Sequence, residues 1–156
     1  MSLSEATTRS LLIVDDDADI LRLVSLAMSA RGFRVSTATS LEDGLRHLER
    51  TTFDVVLTDK NLKGATGLEL IDALSIRSPT TAIVLMTAYP EGALGRLSSL
   101  DGYLGKPFKS LEVVAQTLQD AIERRARSIQ RQKLLGQLGD VKTALTSAVL
   151  PPKPVT

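Results

Sequence analysis

Three consecutive aspartates, Asp15, Asp16 and Asp17, follow directly on the apolar run "LLIV" at residues 11–14, with a fourth at Asp19. Carboxylates held side by side repel one another, and at least one pKa rises unless a cation joins them. Other chemistry-bearing residues stand at comparable places: Asp59 after "FDVVLT", Thr87 after "AIVLM", and Lys106, followed by Pro107, shortly after "GYL". With no His or Cys nearby, the carboxylates form an oxygen-only donor set for a hard ion. Partial coordination with retained water suits Mg²⁺. An ammonium from Lys106 and a hydroxyl from Thr87 would complete a site for phosphoryl transfer onto a carboxylate, chemistry that rests on positioning and charge neutralisation. Asp17 stands apart: directly before Ala18, it reads as a helix N-cap, not a ligand.

These residues are far apart in the chain, so the elements between them must bring them together. Apolar runs at 10–14, 33–38, 53–58, 82–86 and 102–104 are rich in Val and Ile and lack period-2 alternation, as suits strands buried on both faces. Helical spacing appears over 18–31, ending at Gly32, over 40–50 with a Ser40 cap and acidic first turn, and over 67–77. Such βα alternation predicts a parallel sheet with right-handed crossovers and helices on both sides. Ligands of such sheets bind at the carboxyl ends of the strands, where Asp15, Asp16, Asp59, Thr87 and Lys106 fall.

Residues 89–102 hold Pro90, Gly92 and Gly95, so a short or irregular helix is expected there. From Ser110 a 3-4 apolar spacing continues through Leu118, Ile122 and Ile129, longer than an α/β domain needs, so this helix is expected to extend past the body. Gly136 and Gly139 are expected to interrupt it, with Asp140 capping a second short helix, and Pro151, Pro152 and Pro154 to end regular structure.

The chain has 156 residues, enough for one domain and an appendage, and 43% hydrophobic with 24% charged residues marks a globular protein. Aromatics at 3% leave the core to Leu, Val, Ile and Ala. A net charge of +1 gives no field suited to nucleic acid or membrane. The absence of cysteine excludes disulfides and thiolate metal sites, and fits a reducing cytoplasm. No signal peptide is legible, and no apolar run approaches the roughly 20 residues that span a bilayer.

Residues 10–125 resemble the receiver domain of bacterial two-component response regulators. The resemblance rests on ordered landmarks: "VDDD" at 14–17, "LTDKNLKGATG" at 57–67, "MTA" at 86–88 and "YLGKPF" at 103–108. It implies a (βα)5 flavodoxin-like fold with a doubly wound, five-stranded parallel sheet of order 2-1-3-4-5, and the extended C-terminal helix is added to it. It implies that Asp59 accepts a phosphoryl group from a sensor histidine kinase or phosphotransfer protein. Asp16, Asp59 and the backbone carbonyl of Asn61 would hold Mg²⁺ directly, with Asp15 acting through water. Lys106 would pair with the phosphoryl oxygens, and Thr87 would shift toward them, letting Tyr103 move from an exposed to a buried rotamer. The family's usual proline is replaced by Lys63, which suggests a less rigid loop after Asp59. The resulting organisation is a tail at 1–9, a receiver at 10–127, and at 128–156 a helical extension or a linker to an output domain; the apolar stripe of this tail suits a homodimer through the fifth helix and tail, or packing on a partner.

Two other readings compete. Asp15 and Asp17 have the Asp-x-Asp spacing of Mg²⁺-dependent phosphohydrolases with an aspartyl nucleophile, although Asp59 would then have no role. A degenerate receiver that binds partners without phosphorylation is the second. Lys60 is expected to face solvent and His47 to lie on the surface. The basic stretch 123–133 lacks aromatics and reads as a solvated helix face rather than a DNA contact. Gly64 and Gly67 are not followed by the Lys-Ser/Thr of a nucleotide loop.

Overall fold

A computed structural model describes residues 7–88 and 100–149, with side chains through residue 147. Contacts divide the chain into two units, Met1–Arg125 and Ala126–Thr156.

In chain order the elements are β1 (Ser10–Val14), α1 (Ala18–Ala30), β2 (Arg34–Ala38), α2 (Leu41–Arg50), β3 (Val55–Asp59), β4 (Asn61–Leu62), β5 (Ala65–Thr66), α3 (Gly67–Arg77), β6 (Ala82–Thr87), β7 (Gly102–Gly105) and α4 (Leu111–Val149). Five strands form one parallel sheet in the order β2-β1-β3-β6-β7. Counting only those strands, the order is 2-1-3-4-5, as the resemblance implied. The short pair β4-β5 is antiparallel and separate.

The unbroken apolar runs make two cores because alternate strand residues face opposite sides. Leu11, Ile13, Val55, Leu57, Val84 and Met86 pack with Val24 and Met28 of α1 and Val114 and Leu118 of α4. Leu12, Val14, Val56, Ile83 and Leu85 pack on the other side with Leu70, Ile71 and Leu74 of α3. A Leu→Ala change at such positions costs about 2–5 kcal/mol. His47 is half-buried, not simply on the surface, with its ring edge-on to Phe53 at 6.3 Å.

The helix ends are written locally. Asp17 caps α1, its carboxylate accepting from the N–H groups of Asp19 and Ile20. At the other end Gly32, with φ +93°, donates to Ser29 O while Phe33 N–H donates to Met28 O. This paired closure needs the left-handed conformation that glycine adopts without strain. Ser40 caps α2 by accepting from Asp43 N–H, and Ser110 accepts from Val113 N–H at the start of α4.

The expectation of a broken C-terminal helix is corrected. Gly136 and Gly139 lie inside one helix, and Asp140 is an interior residue of it. Each glycine weakens a helix by about 1 kcal/mol but does not forbid it, and neither takes a positive φ here. The threonines nearby bond back to the helix, Thr143 to Gly139 O and Thr146 to Lys142 O. The irregular helix expected over 89–102 falls almost wholly outside the described residues, as do the prolines at 151, 152 and 154.

Candidate functional site

The sheet's connections reverse direction at β1: the chain goes from β1 outward to β2, then returns past it to β3. The crevice of such a sheet opens at the carboxyl ends of β1 and β3. Asp15 follows the last residue of β1, and Asp59 ends β3. Register pairs Asp59 with Met86 of β6 and Thr87 with Gly105 of β7, so Thr87 and Lys106 arrive at the same edge.

Asp15, Asp16 and Asp59 each offer a carboxylate oxygen, and these atoms all lie within 4.8 Å of one another. Asp15 is fully buried, and Asp16 is half-buried. Lys106 Nζ bridges two of the three, 2.6 Å from Asp15 Oδ2 and 2.7 Å from Asp59 Oδ2. Its backbone N–H donates to Thr87 O at 2.9 Å, tying it to the end of β6. The Lys106–Pro107 peptide is cis.

The other oxygens of Asp15 and Asp59 are also held. Asp15 Oδ1 accepts from Asp17 N–H at 2.9 Å, and Asp59 Oδ1 from Asn61 N–H at 3.1 Å. Burial pushes the Asp15 carboxyl above its ordinary pKa, and the bonds from Lys106 and Asp17 only partly offset that. For Lys106 burial acts downward, but hydrogen bonds to Asp15 and Asp59 outweigh it and the net shift is upward. Removing Lys106 would leave both carboxylates without their shared ammonium, a loss of about 3–5 kcal/mol. The close, oxygen-only carboxylate group fits a hard divalent cation, which would share with Lys106 the task of balancing its negative charge.

Five of the residues singled out from the sequence are gathered at this edge: Asp15, Asp16, Asp59, Thr87 and Lys106. Thr87 is buried. Asn61 is exposed at the start of β4 and reaches the site through its N–H. Tyr103, on β7, is 50% exposed, the outward arrangement. Asp17 turns its carboxylate to the helix start and takes no part in the cluster. An apolar groove of about 580 Å³ opens beside Lys106, lined by Ile20, Leu23, Pro107, Phe108 and Leu111 among others.

The loop after Asp59 has a structure that the sequence reading did not foresee. It closes as a miniature hairpin in which Asn61 pairs with Thr66 and Leu62 with Ala65. Gly64, with φ +70°, supplies the turn. Lys60 is half-buried, its N–H donating to Met86 O and its carbonyl accepting from Gly67 N–H, both at 2.8 Å. The Lys-Gly pair between short segments was the available signal for this hairpin, but strands of two residues leave no periodicity to read.

Comparison with known proteins bears on the family and the fold. Residues 11–119 match the sequence model of the response regulator receiver domain. The acid tolerance regulatory protein ActR of Rhizobium meliloti is 35% identical over 120 residues, covering 74% of this chain and 61% of that protein. The present chain thus spans about three-fifths of that relative's length. Chemotaxis protein CheY4 of Vibrio cholerae superposes with a TM-score of 0.67 at 30% identity, covering 73% of this chain and 98% of that one. A CheY-like receiver domain protein from Methanospirillum hungatei shares the fold, with a TM-score of 0.72 at 24% identity over 78% of this chain and 99% of that one.

Proposed function

Since the chain belongs to the response regulator receiver domain family, and so is a signalling switch of two-component systems, we propose that Asp59 is its phosphoacceptor. The observation that carries this is the handling of the Asp59 carboxylate. One oxygen is held by Lys106 and the other by Asn61 N–H, at the edge of a cluster with Asp15 and Asp16. In the reaction an Asp59 oxygen bonds to phosphorus as the phosphorus–nitrogen bond of a donor phosphohistidine breaks, and the imidazole leaves. Water later cleaves the acyl phosphate, restoring the carboxylate and releasing inorganic phosphate. Small donors such as acetyl phosphate would serve in place of the kinase, with autodephosphorylation as the reverse arm of the switch.

Asp16, Asp59 and the Asn61 carbonyl would hold Mg²⁺, with Asp15 acting through water. The ion would supply charge neutralisation for the transferring group. Lys106 would hold the arriving phosphoryl oxygens, and Thr87 would hydrogen-bond to them. Because phosphorylation adds about −1.5 to −2 charge in ordinary phospho-residues, the state in which Thr87 and Lys106 bind that charge better is favoured. Tyr103 would then turn inward. The phosphohydrolase reading requires Asp17 as a partner of Asp15, and Asp17 is occupied in capping α1.

The donor is a sensor histidine kinase or phosphotransfer protein, and the cytoplasm is the setting we assign. No helix among the described residues is long and apolar enough to cross a membrane. We assign residues 10–127 to the receiver, preceded by a tail at 1–9, and 128–156 to a helical extension or linker that supports a homodimer. A direct role in nucleic-acid binding is not part of this assignment.

The test is incubation with Mg²⁺ and acetyl phosphate, followed by acyl-phosphate detection. Wild type should label and Asp59→Asn should not. Equal labelling of the two proteins overturns the assignment.

A further inference from the structure

Two glycines of the loop after Asp59 are there for different reasons. Gly64 has φ +70° and open space around the position of a Cβ, so its backbone conformation is what requires glycine. Gly67, the first residue of α3, is not among the positive-φ glycines, yet a Cβ there has no room. It would penetrate the carbonyl oxygen of Asp59, and would lie 3.1 Å from that carbonyl's carbon and 3.0 Å from Thr58 Oγ1.

None of these walls can give way easily. Thr58 is fully buried, and its hydroxyl donates to the Asp59 carbonyl at 3.0 Å. Asp59 is the last residue of β3, paired with Met86. A side chain at 67 therefore displaces either the start of α3 or the phosphoacceptor's own peptide. The displacement has a short route to the carboxylate. Gly67 N–H holds Lys60 O, Thr66 pairs with Asn61, and Asn61 N–H holds Asp59 Oδ1.

We propose that Gly67 is a positioning residue for the phosphoacceptor: its missing side chain seats α3 against the Asp59 peptide and fixes, through the 61–66 hairpin, the direction of the Asp59 carboxylate. This rests on the assignment of Asp59 as acceptor. The consequence reaches the Asn61 carbonyl as well, since Asn61 belongs to the same hairpin.

The experiment measures Mg²⁺ affinity by calorimetry and labelling by acetyl phosphate, with thermal melting alongside, on the full chain. Gly67→Ala should weaken Mg²⁺ binding and slow labelling by about tenfold or more, the scale on which small misplacements act. Leu118→Ala, a core change in α4, should lower the melting temperature but leave the Mg²⁺ affinity of the folded protein unchanged. Gly64→Ala, an exposed change that strains the hairpin turn from outside, should shift Mg²⁺ affinity in the same direction by a smaller factor, and it keeps the idea open to refutation if Gly67→Ala does not fold. Wild-type Mg²⁺ affinity in folded Gly67→Ala overturns the inference, as does an equal shift in Leu118→Ala. Should Gly67→Ala not fold, an unshifted Gly64→Ala overturns it. Asp59→Asn separates the two levels: labelling that persists there sinks the acceptor assignment, whereas lost labelling there with an unshifted Gly67→Ala sinks only the role of Gly67.

Discussion

At Asp15 the demands of the site and those of folding oppose each other most directly. The side chain has no exposure to water, and its neighbour Asp59 adds like charge. Burial raises its pKa even though Lys106 sits 2.6 Å away. A carboxyl whose folded pKa is raised contributes stability while protonated. That contribution is present below the unfolded value near 3.9 and is lost as pH rises through the folded one. Asp15→Asn keeps the shape and removes the ionisation. In metal-free protein the variant should melt a few degrees above wild type at neutral pH, the gap closing as pH falls toward that unfolded value. A pH-independent difference, or a variant less stable at neutral pH, contradicts this account, and melting curves over a pH series decide it. The residue types at 15, 16, 59, 87 and 106 were legible in the sequence because strand ends can be read from apolar runs. The bridge that Lys106 makes between Asp15 and Asp59 was not, because a side chain's partner depends on tertiary distances.

The elements show why the aspartate block divides. Asp15, directly after its strand, is buried, whereas Asp17, two residues on, turns to the N–H groups of Asp19 and Ile20. Such a cap is worth about 1 kcal/mol. Asp17→Ala should therefore lower stability by roughly that amount with Mg²⁺ affinity and labelling intact, which denaturant unfolding and an Mg²⁺ titration would establish. A large loss of Mg²⁺ affinity would return Asp17 to the ligand set. Long elements with caps and periodic apolar faces, such as α1, α2 and α3, were readable to within a residue or two. The hairpin at 61–66 was too short to carry a pattern, and the seat of Gly67 against Asp59 is a contact between backbones, which side-chain chemistry does not announce. Gly136 and Gly139 misled for the opposite reason. Propensity is a weak local preference, and two such residues do not outweigh the cooperativity of a long helix.

For the whole molecule the open question is what the C-terminal unit does with its surface. In its helix Leu134, Leu138, Val141 and Leu145 recur at intervals of four, three and four, and each is at least half exposed, from 50% to 63%. That period follows a coiled-coil seam, which a second helix of the same kind covers by inserting side chains between its turns. Flanking positions hold Gln137 and Lys142, so no like-charged pair opposes a second copy across a parallel seam. An isolated helix carrying Gly136 and Gly139 is marginal in water, and burial of this stripe is the available source of its stability. The chain should therefore self-associate in a concentration-dependent way, with a seam short enough that the dimer is weak. Replacing Leu138 and Leu145 together by Glu places like charges in the seam and should hold the protein monomeric, with acetyl-phosphate labelling unaffected. Light scattering over a concentration series, with and without beryllofluoride, measures this. Identical masses for wild type and the double variant under all conditions would remove the second copy as the stripe's partner. A mass that rises only with beryllofluoride would instead join the seam to the phosphorylation site as one switch.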